Sequence, residues 1–284
     1  MTRLDKDLDK DLDKDDVLAG LFGAWDDIDA VLSTLSDAQW QAPTPLPGWT
    51  VHDVVAHIIG TESFLQGIPT PEADCDVSAL PHVHNEVGVL NECWVRHLRP
   101  ESPSALLDRF RAITGERRNA LTVMTDREWN AETATPAGPD TYGRFMRVRT
   151  FDCWMHEQDI REAVGVWAAD EVQAGPAAVQ TLAEITDGLG YIVGKLGGAP
   201  DGSRVAFELT GALQRTLRVV VNGRARVVDD FDGALPTATI QLDAVLFTRL
   251  IGGRTTAAEN LNAIELSGDT ELARRVAEHL KFVM

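Results

Sequence analysis

The stretch FDCWMHEQDI, residues 151–160, carries Asp152, His156 and Asp159 at steps of four and three residues. On a helix turning about 100° per residue these three side chains fall within about 60° of arc. The same side carries Phe145, Val148, Ile160 and Ala163, so the polar row runs along an apolar face. A carboxylate buried there without a partner is costly or takes up a proton. Either a metal ion or a buried hydrogen-bond network would compensate the row. The opposite side, with Arg147, Glu157, Gln158, Arg161 and Glu162, reads as the solvated face, interrupted by Phe151 and Trp154.

A second segment, VHDVVAHIIGTESFL, has an apolar stripe of Val51, Val54, Val55, Ile58 and Ile59, with His57 at the stripe's edge. One histidine from this helix and an Asp-x-x-x-His pair from the other, His57 with Asp152 and His156, make three nitrogen and oxygen ligands. Such a set leaves positions open for water or substrate, the pattern of a catalytic divalent site of the zinc kind. On spacing alone, a polar core of one neutral histidine and two acids, satisfied by arginines or helix ends, fits equally well. Asp159 is placed to accept the His156 ring N–H or to pair with an arginine on a neighbouring helix. Arg149, on the same inner face, suits either an anionic substrate or cofactor carboxylate, or one of the two aspartates. The remaining histidines are weaker candidates. His82 and His84 fall on opposite sides of a helical pattern, His52 reads as exposed in a first helical turn, and His97 and His279 sit near helix ends. Cys153 reads as core packing.

The elements that must hold these residues follow from periodicity. Apolar residues at three- and four-residue steps predict a helix over 17–35, and Thr50 followed by Asp53 is an N-cap signature for the helix carrying His57. Further helical patterns run through His97 and from Ser104 to about Met124. The loop TPAGPDTYG precedes the helix of about Tyr142 to Ala163, which Gly165 terminates. After about residue 170 the character changes: one more helical stretch, AAVQTLAEITDGLGYIVGKLG, leads to the strand-like segments RVAFELTG, RTLRVVVNG, ARVVDD and TATIQLD. Two helical patterns, Val245 to Leu250 and Glu271 to Leu280, then flank IELSG. The expected class is α+β: an acidic, flexible lead over 1–15, a helical bundle over 16–170 and a small α+β domain over 171–284.

Composition narrows the partners. The chain has 284 residues with 44 acidic against 26 basic side chains, a net charge of −18. That balance opposes nucleic acid and anionic membranes and favours small molecules, with the chain as a monomer or small homo-oligomer. Three cysteines without CxxC spacing give neither a disulfide framework nor a cysteine zinc site, so a reducing, cytoplasmic location is expected. Neither a signal peptide nor a membrane span is read in the sequence.

The phrase LPGWTVHDVVAHIIG, residues 46–60, followed by RTFDCWMHEQDIREAVG, residues 149–165, resembles the mycothiol-dependent maleylpyruvate isomerase family, a branch of the DinB-like helical bundles. The later segments TATIQLDAVLFTRLIGGRTTA and IELSGDTELARRV are similar to that family's C-terminal domain, which is related to sterol-carrier folds. The resemblance implies a DinB-like four-helix bundle followed by the α+β domain. It also implies a divalent metal, zinc above others, held at the positions of His57, Asp152 and His156. The family has glutamate where this sequence has Asp152, a stem one methylene shorter. Mycothiol is the implied cosubstrate, its metal-bound thiolate adding to a small electrophile and either leaving again, an isomerisation, or staying, an S-transfer. No catalytic residue beyond the metal site is assigned. The alternatives are a metal-dependent hydrolase using bound hydroxide, and a non-catalytic protein binding metal or an apolar ligand.

Overall fold

In this computed structural model the structure describes residues 13–136 and 138–281. Most of the acidic lead, residues 1–12, lies outside the described residues. Its end does not: Asp13 caps the first helix, accepting from the backbone N–H groups of Asp15 and Asp16, so helix α1 (Lys14–Leu32) begins inside the lead. The cap starts the helix before its first apolar residue, Val17.

The chain divides into two compact units, meeting between Ala168 and Ala169. In the first, α2 (Asp37–Trp40) is a single turn, followed by α3 (Val51–Leu65), α4 (Glu86–Leu98), α5 (Pro103–Val123), the single turn α6 (Asp126–Trp129) and α7 (Tyr142–Val164). Four long helices close a ring: α1 packs on α7 and α5, and α3 packs on α5 and α7, with α4 laid against α3. Thr50 and Asp53 form a reciprocal capping box that fixes the start of α3. Gly165, at φ 69°, ends α7 in the left-handed conformation that costs a glycine nothing. The segment before α7, expected as a loop, is an antiparallel hairpin of β1 (Glu132–Thr135) and β2 (Gly138–Thr141).

The far side of α7 corrects the sequence reading. Arg147, Trp154, Glu157, Gln158 and Arg161 are all buried, so this helix has no solvated face over residues 153–161. Helix α1 packs against it, with Asp27 beside Arg161 and Glu157 on the side that periodicity assigns to water. One pair on that side forms within the helix: Arg161 Nε donates to Glu157 Oε1 at 2.6 Å.

The second unit contains α8 (Asp170–Gln173), α9 (Pro176–Tyr191) continued by a π-helical turn, and a five-stranded sheet ordered β5-β4-β3-β6-β7. Its strands are β3 (Arg204–Thr210), β4 (Arg215–Asn222), β5 (Arg224–Val228), β6 (Ala238–Asp243) and β7 (Ile264–Gly268). Only the β3–β6 pairing is parallel. Val205, Phe207, Leu217, Val219 and Ile240 share the buried face. On it lie α9, α10 (Ala244–Ile251) and α11 (Thr270–Glu278), with the rings of Phe207 and Phe247 5.6 Å apart. The opposite face, with Glu208, Arg218 and Gln241, is more polar and less covered, as expected for a small antiparallel-rich sheet. The molecule is thus α+β with a helical N-terminal region. Among the described residues no helix is long and apolar enough to cross a membrane.

Candidate metal centre

His57 lies in the middle of α3, and Asp152 and His156 lie one turn apart on α7. Because α3 and α7 are packed together in the ring, the three side chains meet. Their candidate ligand atoms all lie within 4.8 Å of one another. His57 Nε2 is 3.2 Å from Asp152 Oδ2, and His156 Nε2 is 3.4 Å from Asp152 Oδ1. The two imidazole rings stand nearly edge-on, centroids 4.9 Å apart. Both histidines are buried, and the Asp152 side chain, 31% exposed, is the point of the trio that reaches solvent.

The surroundings fix each member. Asp159, fully buried, lies 3.0 Å from His156 Nδ1 and so makes the imidazole contact open to it. A proton on Nδ1 would donate to that acceptor, and in the neutral ring Nε2, 3.4 Å from Asp152 Oδ1, would be the atom left to ligate. Arg149 donates to Asp152 Oδ2 and, through Nε and Nη2, to Glu62 Oε1 at 3.0 and 2.8 Å. Its guanidinium is therefore held among acids of the bundle interior. Glu62, with no exposed surface, also accepts from Arg117 Nε at 3.0 Å, and Arg117 reaches the Tyr142 hydroxyl at 2.9 Å. A continuous buried network runs from Tyr142 through Arg117, Glu62 and Arg149 to Asp152.

Burial and neighbouring charge set the protonation of the trio. Burial is the largest influence on His57 and lowers its pKa, with Asp152 only partly offsetting it. At His156 burial also opposes the charged form, yet Asp152 and Asp159 together outweigh it and raise the pKa. Burial would raise Asp152, but His156, Arg149 and His57 hold its carboxyl well below the usual range. Cys153, pushed up to about 12 chiefly by burial, is a thiol at neutral pH.

The other histidines take structural places. His52 is buried, not exposed, with Nε2 3.0 Å from the Glu101 carbonyl oxygen. His82 and His84 precede α4 instead of lying on it, and His82 Nε2 sits 3.2 Å from Glu92 Oε2. Neither joins the trio. Sequence reasoning missed Glu62 and Glu92. The signal for Glu62 was present, since it is the one acid after Asp53 in a mainly apolar helix; Glu92, beside Asn91, has nothing to single it out.

Comparison with known proteins bears on the family and the fold. A family model described as "Mycothiol maleylpyruvate isomerase N-terminal domain" matches residues 21–161, and one described as "MDMPI C-terminal domain" matches residues 180–275. Two proteins of Mycobacterium tuberculosis, Uncharacterized protein Rv0036c of strain H37Rv and Uncharacterized protein MT0041 of strain CDC 1551, are each 27% identical over 149 residues. That alignment takes in 52% of this chain and 56% of each relative, so the chain matches about half the length of these curated relatives. A crystal structure of the mycothiol-dependent maleylpyruvate isomerase superposes with a TM-score of 0.57 at 15% identity, over 89% of this chain and 92% of that one. A histidine-to-alanine mutant of that enzyme gives 0.56 at 16% identity, with the same coverage. At these identities the superpositions speak for the fold. The two family matches together span well over half of the sequence, and the chain belongs to the mycothiol maleylpyruvate isomerase family.

Proposed function

We propose that this protein is a metal-dependent enzyme that uses a small thiol, mycothiol, to isomerise or S-conjugate a small electrophile, with His57, Asp152 and His156 as the metal ligands. One observation carries the reading: two imidazole Nε2 atoms converge on one carboxylate at 3.2 and 3.4 Å. Tetrahedral coordination with bonds of about 2.0–2.1 Å has ligand atoms about 3.3 Å apart; each histidine stands at about that spacing from a different oxygen of Asp152, and one ligand atom from each of the three residues lies within 4.8 Å of the others. The aspartate stem, though short, reaches both histidines because α3 and α7 pack directly.

A divalent ion held there lowers the pKa of a thiol that reaches it and so supplies a nucleophile at neutral pH. The chain's own residues prepare the place. Asp159 keeps the His156 proton on Nδ1, and Arg149, itself held by Glu62, orients the Asp152 carboxylate. The exposed edge of Asp152 marks where thiol and electrophile approach. The sulfur adds to an electrophilic carbon; expulsion of the same sulfur after bond rotation returns an isomer, and protonation of the adduct leaves a conjugate. Membership of a family named for a mycothiol-dependent isomerase supports the thiol, and the substrate is left at the class of small electrophiles.

The test is metal content per chain for the unmodified protein and for His156→Ala, followed by mycothiol consumption with a panel of electrophiles. The expected result is about one equivalent of a divalent metal, zinc by preference, lost in the variant, and thiol-dependent turnover. The Arg149–Asp152 contact favours a second reading, a purely structural polar core, and no metal in either protein after reloading would establish it. Metal without thiol consumption, but with turnover of an ester or amide, would replace the transferase with a hydrolase.

A further inference from the structure

Trp49 stands apart from the other tryptophans of this chain. The sequence has seven; Trp25, Trp40, Trp94, Trp129 and Trp154 are buried in the core, and Trp167 is 66% exposed. Trp49 is half-buried, and its ring lies against His57 with centroids 5.3 Å apart and planes 36° from parallel. Asp152, at the Nε2 edge of His57, and Trp49, against its ring, both reach solvent.

The ring is held more firmly than cover for a helix start requires. Its Nε1–H donates to Glu92 Oε2 at 3.0 Å, and Glu92 is a carboxylate with 1% exposure on α4. The same oxygen lies 3.2 Å from His82 Nε2, and Glu92 Oε1 lies 4.0 Å from Arg99 Nη2. The backbone is pinned as well: Trp49 N–H donates to the Leu46 carbonyl, and the Thr44 N–H and hydroxyl both donate to the Trp49 carbonyl. Gly48, at φ +82°, makes the turn, and an added Cβ there would sit 3.3 Å from the His82 ring, so the glycine serves both the backbone and the close approach. A buried charge is expensive, and here its hydrogen bonds serve to aim one half-exposed aromatic ring.

We propose that Trp49 is the wall on which the substrate lies, selecting a flat, conjugated molecule by stacking, and that Glu92 is the residue that positions it. This rests on the reading of the trio as the reactive centre. An indole offers a broad, electron-rich face, and electron-poor conjugated systems stack on it in offset fashion. Glu92 touches no substrate; it acts through the indole N–H.

Binding can be read without turnover, which keeps this inference separable from the thiol chemistry. Metal-loaded full-length protein is titrated calorimetrically with fumarate and with succinate, dianions that differ by one carbon–carbon double bond. The unmodified protein is expected to prefer fumarate by roughly three- to tenfold. Trp49→Ala should abolish that preference, and Trp49→Phe should keep most of it. Glu92→Gln, whose amide oxygen still accepts the indole N–H, should retain the preference, and Glu92→Leu should lose it. Unchanged metal content and circular dichroism in the variants show that His57 and the bundle are intact. Equal affinity for the two ligands in the unmodified protein, no binding of either, or a preference that survives Trp49→Ala would each overturn the proposal. A preference that follows Trp49 while mycothiol is never consumed would uphold the wall and sink the thiol reaction alone.

Discussion

Glu62 accepts hydrogen bonds from two guanidinium groups, those of Arg117 and Arg149, with all three side chains buried. Removing its charge leaves two buried cations sharing fewer anions, the situation in which a broken buried pair costs about 3–5 kcal/mol. Glu62→Gln is therefore expected to lower the unfolding free energy by about that much in urea titration, whereas a loss below about 1 kcal/mol would mean that the network is loosely held or hydrated. Glu157 gives a test of opposite electrical character. Burial, the largest cause, raises its pKa from 4.5 to about 7 against the pull of Arg161, and its Oε2 has no hydrogen-bond partner among the described residues. A carboxyl whose folded-state pKa exceeds its unfolded value loses no stability below the lower value. It loses stability progressively between the two and no more above the higher one. Stability of the protein relative to Glu157→Gln should thus fall by roughly 3 kcal/mol from pH 4.5 to above 7. A pH-independent difference between the two proteins would show that Glu157 is ionised and well solvated.

The elements place these residues by close helix approach, and two glycines separate approach from propensity. Gly60, one turn past His57 on α3, has its Cβ position 2.4 Å from the Trp94 side chain on α4. Gly115, inside α5, has nothing within 4 Å of that position. Alanine favours a helix interior over glycine by about 1 kcal/mol, so Gly115→Ala should stabilise by about 0.5–1 kcal/mol. Gly60→Ala must overpack the α3–α4 contact and should cost a net loss of roughly 1–2 kcal/mol. Thermal denaturation of the two variants gives the signs, and stabilisation by Gly60→Ala would refute the tight contact. The sequence made the α7 period and its Asp152, His156 and Asp159 row legible because the residues sit at helical steps among apolar neighbours. It also made the start of α3 legible, through the Thr50–Asp53 cap. It hid the covering of the second side of α7, since Arg147, Glu157, Gln158 and Arg161 have the composition of a wet surface and only their partners make burial tolerable. His52 was hidden for the same reason: its partner is a backbone carbonyl 49 residues away, which no local pattern announces. The hairpin over 132–141 went unread because Gly138 and Pro139 punctuate a strand that has little apolar content.

At the scale of the molecule, the division between Ala168 and Ala169 leaves every residue of the proposed metal site on one side. His57, Asp152 and His156, together with Asp159, Arg149 and Glu62, all lie in the first unit. That unit has its own core, built from Leu21, Trp25 and Ile28 of α1, Val54, Val55 and Ile58 of α3, and Leu106 and Phe110 of α5. A unit with its own apolar core and all three proposed ligands should fold and bind metal without the rest of the chain. Residues 13–168 expressed alone are expected to show a helical circular dichroism spectrum and about one equivalent of divalent metal, lost on His156→Ala, while residues 169–281 hold none. A folded fragment without metal, beside a full-length protein that binds it, would mean that the second unit supplies a ligand or holds α3 and α7 in register. A fragment with no helical signal would mean that the bundle draws its stability from the second unit. Because the spacings of His57, Asp152 and His156 are set by the packing of α3 on α7, retention of metal by the fragment would place the geometry of the proposed site in that one helix pair.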